Sequence, residues 1–596
     1  MNRPLSKKPD RSGKRPSSLR RLFVPTLLCL ALFPASFALA EKSGGQDNIP
    51  RPNDYGNTAS LTGNNVRVTG ETISGSVFGA YTTDNPAAVS GNNVTVTDSN
   101  IEKSVYGGYA DVRKSEINPV SIDGFSEPGE ENGKNVSAIA NNNSVDVSGS
   151  ETKETKVTGY IYGGRAYIRG AQTAAAEANN NSVDVFNSTA KGIYGGYAYI
   201  EGNGNQTAAA EASGNSVTVS GSTVDGDVVG GYAEVSLYEI SISALNDESE
   251  GQYQNTSYSE DATAKANNNS VTVSNGSTTN GIYGGYASAT GNQTVAAEAN
   301  GNNVTVSDNS TAGSDIYGGM AMASGAQIAT AKANGNSVTV SGSTVNGDIF
   351  GSDAEATGAQ TATAEANNNS VTVTSNSTVE DDIYGGYAYT SGDQTAAAEA
   401  SGNSVTVSGN STVEDDIYGG RAYVEGNQTA AAEANGNSVT VTSNSTVEDD
   451  IYGGRASVYD SQTVTAGANG NSVTVSGNST VKDDIYGGYA YASGNQTAAA
   501  EANGNSVTVT SNSTVEDDIY GGRASVYDSQ TVTAGANGNS VTVSGSTVNG
   551  DIFGSDASAT GDQTTTAEAN NNSVTVSGSI VNGDIFGGHA DAYYGT

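Results

Sequence analysis

Carboxylates are the residues of this chain best placed to do chemistry. The pairs Asp381-Asp382, Asp415-Asp416, Asp449-Asp450, Asp483-Asp484 and Asp517-Asp518 recur at a spacing of 34. Brought together from successive units, such acids repel at short range or share a hard cation, which takes several oxygen ligands. One pair per 34 residues is sparse for a metal array, so the expectation is a hydrated acidic edge with no metal and no cofactor. Other chemistry lacks raw material. His589 is the only histidine, Cys29 the only cysteine, and there is no tryptophan. Nucleophilic triads and most zinc sites need His or Cys, so no catalytic residues are expected.

Three further groups could meet a partner. An aromatic residue follows Ile in unit after unit, at Tyr384, Tyr418, Tyr452, Tyr486, Tyr520, Phe553 and Phe586. Tolerance of Phe there means the ring packs and the hydroxyl is dispensable, which points to a structural stack rather than a ligand platform. The residue after Gly-Gly varies widely, through Tyr387, Arg421, Arg455, Tyr489, Arg523, Asp556 and His589, and is expected to be exposed. Tyr238, Tyr253 and Tyr258, with Glu239, Asp247, Glu248 and Glu250, fall in a segment outside the rhythm. Excursions from a repeat are the usual seats of recognition.

What must position these groups is the repeat itself. The motif Asn-Ser-Val-Thr-Val, with Asn replacing Ser once, has its first Val at Val217, Val271, Val304, Val338, Val371, Val405, Val439, Val473, Val507, Val541 and Val574. Beyond one interval of 54 the spacings are 33 or 34, the period of a stacked-repeat architecture. Looser copies stand at Val66, Val94, Val145 and Val183. Ser404-Val405-Thr406-Val407-Ser408 alternates as a half-buried strand does, and Gly409-Asn410 turns. Asp416-Ile417-Tyr418 opens a second extended stretch, and Gly419-Gly420 marks a bulge or corner. Thr429 to Ala434 looks helical by propensity but is far too short for a helix, and its equivalents carry Val, Thr or Gly, so it reads as a third strand.

Proline agrees with this picture. All ten prolines lie at or before Pro128, and proline is excluded from strands that are paired on both sides. The predicted fold is all-β, a parallel solenoid of ~34-residue repeats over 61–596, with insertions near 111–139 and 236–262. Each unit would make one large, three-sided turn, stacking equal positions ~4.8 Å apart as Val and Ile columns inside and Asn ladders at the turns. The outward Ser, Thr and Ser/Thr of each Ser-Val-Thr-Val strand would form a hydroxyl array, of the kind that a solvated solenoid face or an ice-binding surface presents.

Residues 1–40 stand apart. Seven basic residues from Lys7 to Arg21, an apolar run from Leu22 to Leu32 and the ending Ala38-Leu39-Ala40 form the pattern of a cleaved secretory signal. Residues 41–60 are expected to be a flexible lead-in. The chain carries a formal charge of −38, and cleavage would deepen it. Nucleic acid and anionic lipid would both be repelled, so neither is an expected partner, and no membrane span is expected after cleavage.

Val581-Asn-Gly-Asp-Ile-Phe-Gly-Gly588 and Gly402-Asn-Ser-Val-Thr-Val-Ser-Gly409, repeated through an exported chain, resemble an autotransporter passenger region over essentially residues 61–596. The resemblance implies a right-handed parallel β-helix displayed on a Gram-negative surface, in adhesion or aggregation. The C-terminal β-barrel of that family is not present among these residues, so anchoring is expected from a longer reading frame, a partner, or not at all. The expected partners are host or neighbouring-cell surface molecules, or further copies of the chain. Asp416-Ile-Tyr-Gly-Gly420 also resembles part of the calcium-binding nonapeptide of RTX toxins, which implies a calcium-dependent stalk as an alternative. A polysaccharide-cleaving β-helix enzyme is a third reading, needing a cluster of acids, Arg or Lys that breaks the repeat.

Overall fold

The computed structural model describes residues 60–594 apart from 84–85, 114–135, 170–172, 204–205, 239–259, 326 and 427. The signal-like leader, the lead-in to residue 59 and most of both insertions lie outside these. Every regular element among the described residues is a β-strand, and every strand-to-strand pairing is parallel and links one coil to the next. Val405 pairs with Val439 and Val439 with Val473, so one repeat is one turn. The Ser-Val-Thr-Val strands build a 15-stranded sheet from Asn65–Thr69 to Ser573–Ser577.

Four strands, rather than the expected three, line a coil. In the turn beginning at Ser404 they are Ser404–Val407, the two-residue Thr412–Val413, the long Ile417–Gly426 and the closing Thr429–Glu433. The short strand exists because Gly409 and Asn410 both take positive φ, 69° and 60°, where Gly and Asn are least penalised. The chain then resumes in register, and Val413 becomes fully buried.

Alternation does the rest. Val405, Val407, Val413 and Ile417 point inward and join a Val/Ile core that runs the length of the stack. Ala422, Val424, Ala430, Ala432 and Ala434 form a second, Ala-rich core. The closing segment is a strand despite its alanines, because Ala430 and Ala432 alternate inward and are buried while Thr429 and Glu433 face out.

The waist between the two cores is polar. Gly419-Gly420 connects Ile417 to Ala422, and Asn437 lies on the return path from Ala434 to Val439. A Cβ on Gly420 would come within 2.2 Å of the Ala400 carbonyl and 2.6 Å of Asn437 Nδ2, and one on Gly419 within 2.2 Å of the Gly453 carbonyl. The glycines are therefore set by close approach to a buried Asn column and to the next coil, rather than by a bulge alone. In that column the backbone N–H and Nδ2 of Asn403 both donate to Asn437 Oδ1, at 2.8 and 3.1 Å, and Asn437 repeats the pattern on Asn471. The ladder expected at the turns is thus an interior one, complete at each step, as buried polar groups require.

Residues 114–135 and 239–259 both fall between a long strand and its closing strand, as do 170–172 and the single positions 326 and 427.

Candidate functional site, an acid and tyrosine ladder

Ile417 is buried in the core, so the next side chain, Tyr418, must point outward from the same strand. Successive coils then bring identical rings together. Tyr283, Tyr317, Phe350, Tyr384, Tyr418, Tyr452, Tyr486, Tyr520, Phe553 and Phe586 form one continuous stack, with centroids 4.6–5.0 Å apart and planes within 7°. Both faces of each inner ring are consumed by its neighbours, and Tyr418 is only 3 % exposed. Only ring edges remain for a partner, which is the structural stack expected from the sequence.

The second acid of each pair belongs to the same column. Two residues before each Tyr, its carboxylate accepts from the phenol: Tyr418 donates to Asp416 Oδ2 at 2.5 Å and Tyr452 to Asp450 Oδ2 at 2.6 Å, and Tyr384 bonds Asp382 likewise. The other oxygen accepts the backbone N–H of the equivalent Asp one coil on, as from Asp416 to Asp382 and Asp450 to Asp416, both 3.0 Å. The same link runs unbroken from Asp315 to Asp584.

This acidic ladder is less hydrated than expected. Burial pushes Asp348 and Asp450 up to about 8, with neighbouring ladder carboxylates adding to the shift. Asp416 is raised to about 7 by burial and then by Asp382, and Asp484 to about 6, chiefly by burial. The reason is geometric. Stacked Tyr rings cover one flank, and each carboxylate is roofed and floored by its own copies. The first acids of the pairs complete clusters. Asp382, Asp415 and Asp416 offer oxygens within 4.8 Å of one another, and the same holds for Asp416, Asp449 and Asp450, for Asp450, Asp483 and Asp484, and for Asp484, Asp517 and Asp518.

The residues after Gly-Gly are not exposed as expected. Tyr387 is 6 % exposed. Arg421 lays its guanidinium 5.0 Å from the Tyr418 ring centre, and its Nη1 donates to the Tyr384 hydroxyl at 3.2 Å. Arg455 and Arg523 lie likewise over Tyr452 and Tyr520, at 4.9 and 5.2 Å. The rings three residues back form a ledge that an outward side chain falls onto, and cation–π attraction holds arginine there. Variation at this position reflects several ways of covering that ledge.

A second tyrosine column was not foreseen. Tyr389, Tyr423, Tyr459, Tyr491 and Tyr527 are half-buried, with ring centres 4.9–5.9 Å apart, and Tyr423 donates to Glu425 at 2.7 Å. The alternation Arg421-Ala422-Tyr423 carries the signal, since Ala422 is inward.

His589 sits between two acids, with Nδ1 2.9 Å from Asp556 and Nε2 3.5 Å from Asp591. Its hydrogen bond with Asp556 raises its affinity for a proton. Among the insertion residues, Tyr238 ends the strand Val228–Tyr238, while Tyr253, Tyr258, Glu239, Asp247, Glu248 and Glu250 lie outside the described residues. An open depression of about 460 Å³ is lined by Glu151, Phe186, Asn187, Gly221 and Asn275. It brings one carboxylate and two amides to an exposed Phe, with no pair of groups arranged for acid–base work. Comparison with family models, curated proteins and solved structures returns no match for this chain.

Proposed function

We propose that this chain is an exported, surface-displayed solenoid that adheres through many weak, repeated contacts, in the manner of an autotransporter passenger. The observation that carries the reading is the outward face of the 15-stranded sheet. Eleven threonines from Thr218 to Thr575 occupy one register column, flanked by columns that are Ser, Thr or a single Asn. No charged side chain interrupts that stretch, although the chain as a whole carries −38. A surface that presents one pattern at every coil suits multivalent attachment, in which avidity exceeds the single-contact affinity by about 10²–10⁴.

The test is retention of the purified chain on candidate cell surfaces and neutral glycans, compared with a version lacking four internal coils. Retention should fall far more than in proportion to length. Proportional loss, or turnover of a polysaccharide, would remove the adhesive reading.

The carboxylate clusters favour a second reading, a solenoid stiffened by calcium. Three hard oxygens in each cluster are a partial calcium ligand set, which water would complete. A divalent ion would also relieve the mutual repulsion of the ladder. Millimolar calcium should then raise the melting temperature of the chelator-treated protein, and magnesium should do so less. An unchanged melting curve would sink this reading and leave adhesion untouched.

A further inference from the structure

We propose that the depression around Phe186 is a glycan-binding groove, which stacks a neutral sugar ring on the Phe186 face and holds its hydroxyls with amide and carboxylate oxygens. The inference rests on the adhesive reading above and gives it one local site.

The repeat is broken twice at this corner. The residue that follows Val-x-Val in the 15-stranded sheet is Ser or Thr in every coil but one, where it is Phe186. Val183 and Val185 point into the core, so alternation sends the ring outward, and it is 55 % exposed. A single exposed apolar side chain is common on a protein surface. This one stands between Ser148 and Ser220 in its register column, and the chain beside it is remodelled. From Ser148 to Thr155 the path takes six residues, 149–154, where the next coil crosses from Phe186 to Ser188 through Asn187 alone.

The extra length forms a wall. The Gly149 N–H donates to the Phe186 carbonyl at 2.9 Å, and the Ser150 N–H to Asp98 Oδ1 at 2.7 Å. From the next coil, Asn187 Nδ2 donates to the Ser150 carbonyl at 2.5 Å. A bridge between Ser150 and Lys153 turns the loop back. Glu151 at its tip lines the depression together with Phe186, Asn187, Gly221 and Asn275. These residues come from four successive coils, so the groove runs about 14 Å along the stack at strand spacing. Its volume of about 460 Å³ falls within the ~300–1,000 Å³ of ligand clefts. It is open rather than enclosed, which suits a weak contact.

The rim selects the ligand. Asn187 Nδ2 is taken by Ser150, and Asn275 Nδ2 donates to Ser220 Oγ at 2.7 Å. What remains on offer is acceptors: Oδ1 of both amides, which receive no donor among the described residues, and the exposed Glu151 carboxylate. A matching partner has an apolar face and an edge rich in donors. A pyranose has both, with C–H groups on its face and hydroxyls around it. An aliphatic peptide side chain would cover the ring but bring no donors. Charge narrows the class further. The loop and the strands Ser144–Ser148 and Ser182–Phe186 carry Glu151, Glu154, Asp146 and Asp184 against Lys153 alone, so an acidic glycan is repelled.

The experiment titrates the full chain with the methyl glycosides of glucose, galactose and N-acetylglucosamine, and with sialic acid as the acidic control. Saturation-transfer NMR reads the contact. Phe186→Ser restores the residue type of the other coils, and its melting curve should match wild type. Wild type should bind at least one neutral glycoside, with transfer strongest to the C–H groups of one sugar face. Phe186→Ser should weaken that binding about tenfold. No binding of a neutral glycoside, equal binding by Phe186→Ser, or preference for sialic acid would each overturn the groove. Retention on cell surfaces separates this inference from the reading it rests on. Sugar binding lost in Phe186→Ser, in a wild-type chain that cells do not retain, would keep the groove and remove adhesion. Retention that falls with the four-coil deletion, while Phe186→Ser binds sugar as wild type does, would keep adhesion and remove the groove.

Discussion

Asn437→Leu should cost the solenoid about 2–6 kcal/mol, from two stranded buried donors at about 1–3 kcal/mol each. Leucine resembles asparagine in size, so cavity formation is a minor part of the effect. What is lost is Oδ1, the acceptor of both the backbone N–H and the Nδ2 of Asn403. Those donors lie at the waist between two apolar cores, with Asn403 itself 1 % exposed, where water offers no replacement. Because each coil contacts only its neighbours, the damage should be local. Hydrogen exchange should rise in the coils around residues 403–437 before it rises at either end. Thr406→Ala, on the outward hydroxyl face, should stay within about 0.5 kcal/mol of wild type. A shift of similar size in both variants, read from urea unfolding, would show that the Asn column is not a principal support of the stack.

Acidification should stabilise this protein, against the usual trend for carboxylate-rich chains. Folding raises the ladder acids above their ordinary 3.8, to about 8 at Asp348 and Asp450, about 7 at Asp416 and about 6 at Asp484. Between 3.8 and the raised value the folded coil keeps a proton that the unfolded chain has released. The folded state then binds more protons, so stability falls as pH rises through that window. The contribution is fully present below 3.8, falls progressively above it, and is gone once pH has passed the raised values of about 6 to 8. Each carboxyl in its window contributes a slope of about 1.4 kcal/mol per pH unit. Arg421 and Arg455 oppose the shift without cancelling it, since Arg421 lowers Asp382 and Arg455 lowers Asp416. The melting temperature should therefore climb from pH 8 to pH 5. Asp450→Asn should raise it at pH 8 and flatten the climb, because the amide oxygen can still accept from the Asp484 backbone without a charge. A melting temperature that falls on acidification, or an Asn variant that destabilises at pH 8, would contradict this account of the ladder.

Much of the fold was readable because the repeat is close to literal. Alternation in Ser404–Val407 decides in from out, the period decides the stacking, and the absence of proline beyond Pro128 agrees with paired strands. The two-residue strand Thr412–Val413 was missed because two residues carry no periodicity. The glycine pair was noticed, but its cause was hidden, since the Asn437 side chain that it admits lies seventeen positions away in sequence. The site was legible in identity and illegible in environment. Alternation correctly sends Tyr418, Arg421 and Asp416 outward, yet outward does not mean wet in a stack. Each side chain is covered by its own copies about 4.8 Å above and below, and by rings from the neighbouring column. That cover buries Tyr387, lays Arg421 over an aromatic ledge and dries the second aspartate of each pair. Composition cannot report it, because it depends on lateral order across coils.

The sameness of the coil-to-coil surfaces has a consequence for inheritance. Residues 426–477 recur letter for letter at 494–545, two coils further on. Any coil ends in the surface on which any other can begin, so a gene that slips by whole units during replication still encodes a matched stack. Length then becomes a heritable variable that a population can adjust without inventing a new fold, while a change of another size keeps the register only where it falls between strands, as the 54-residue interval from Val217 to Val271 does.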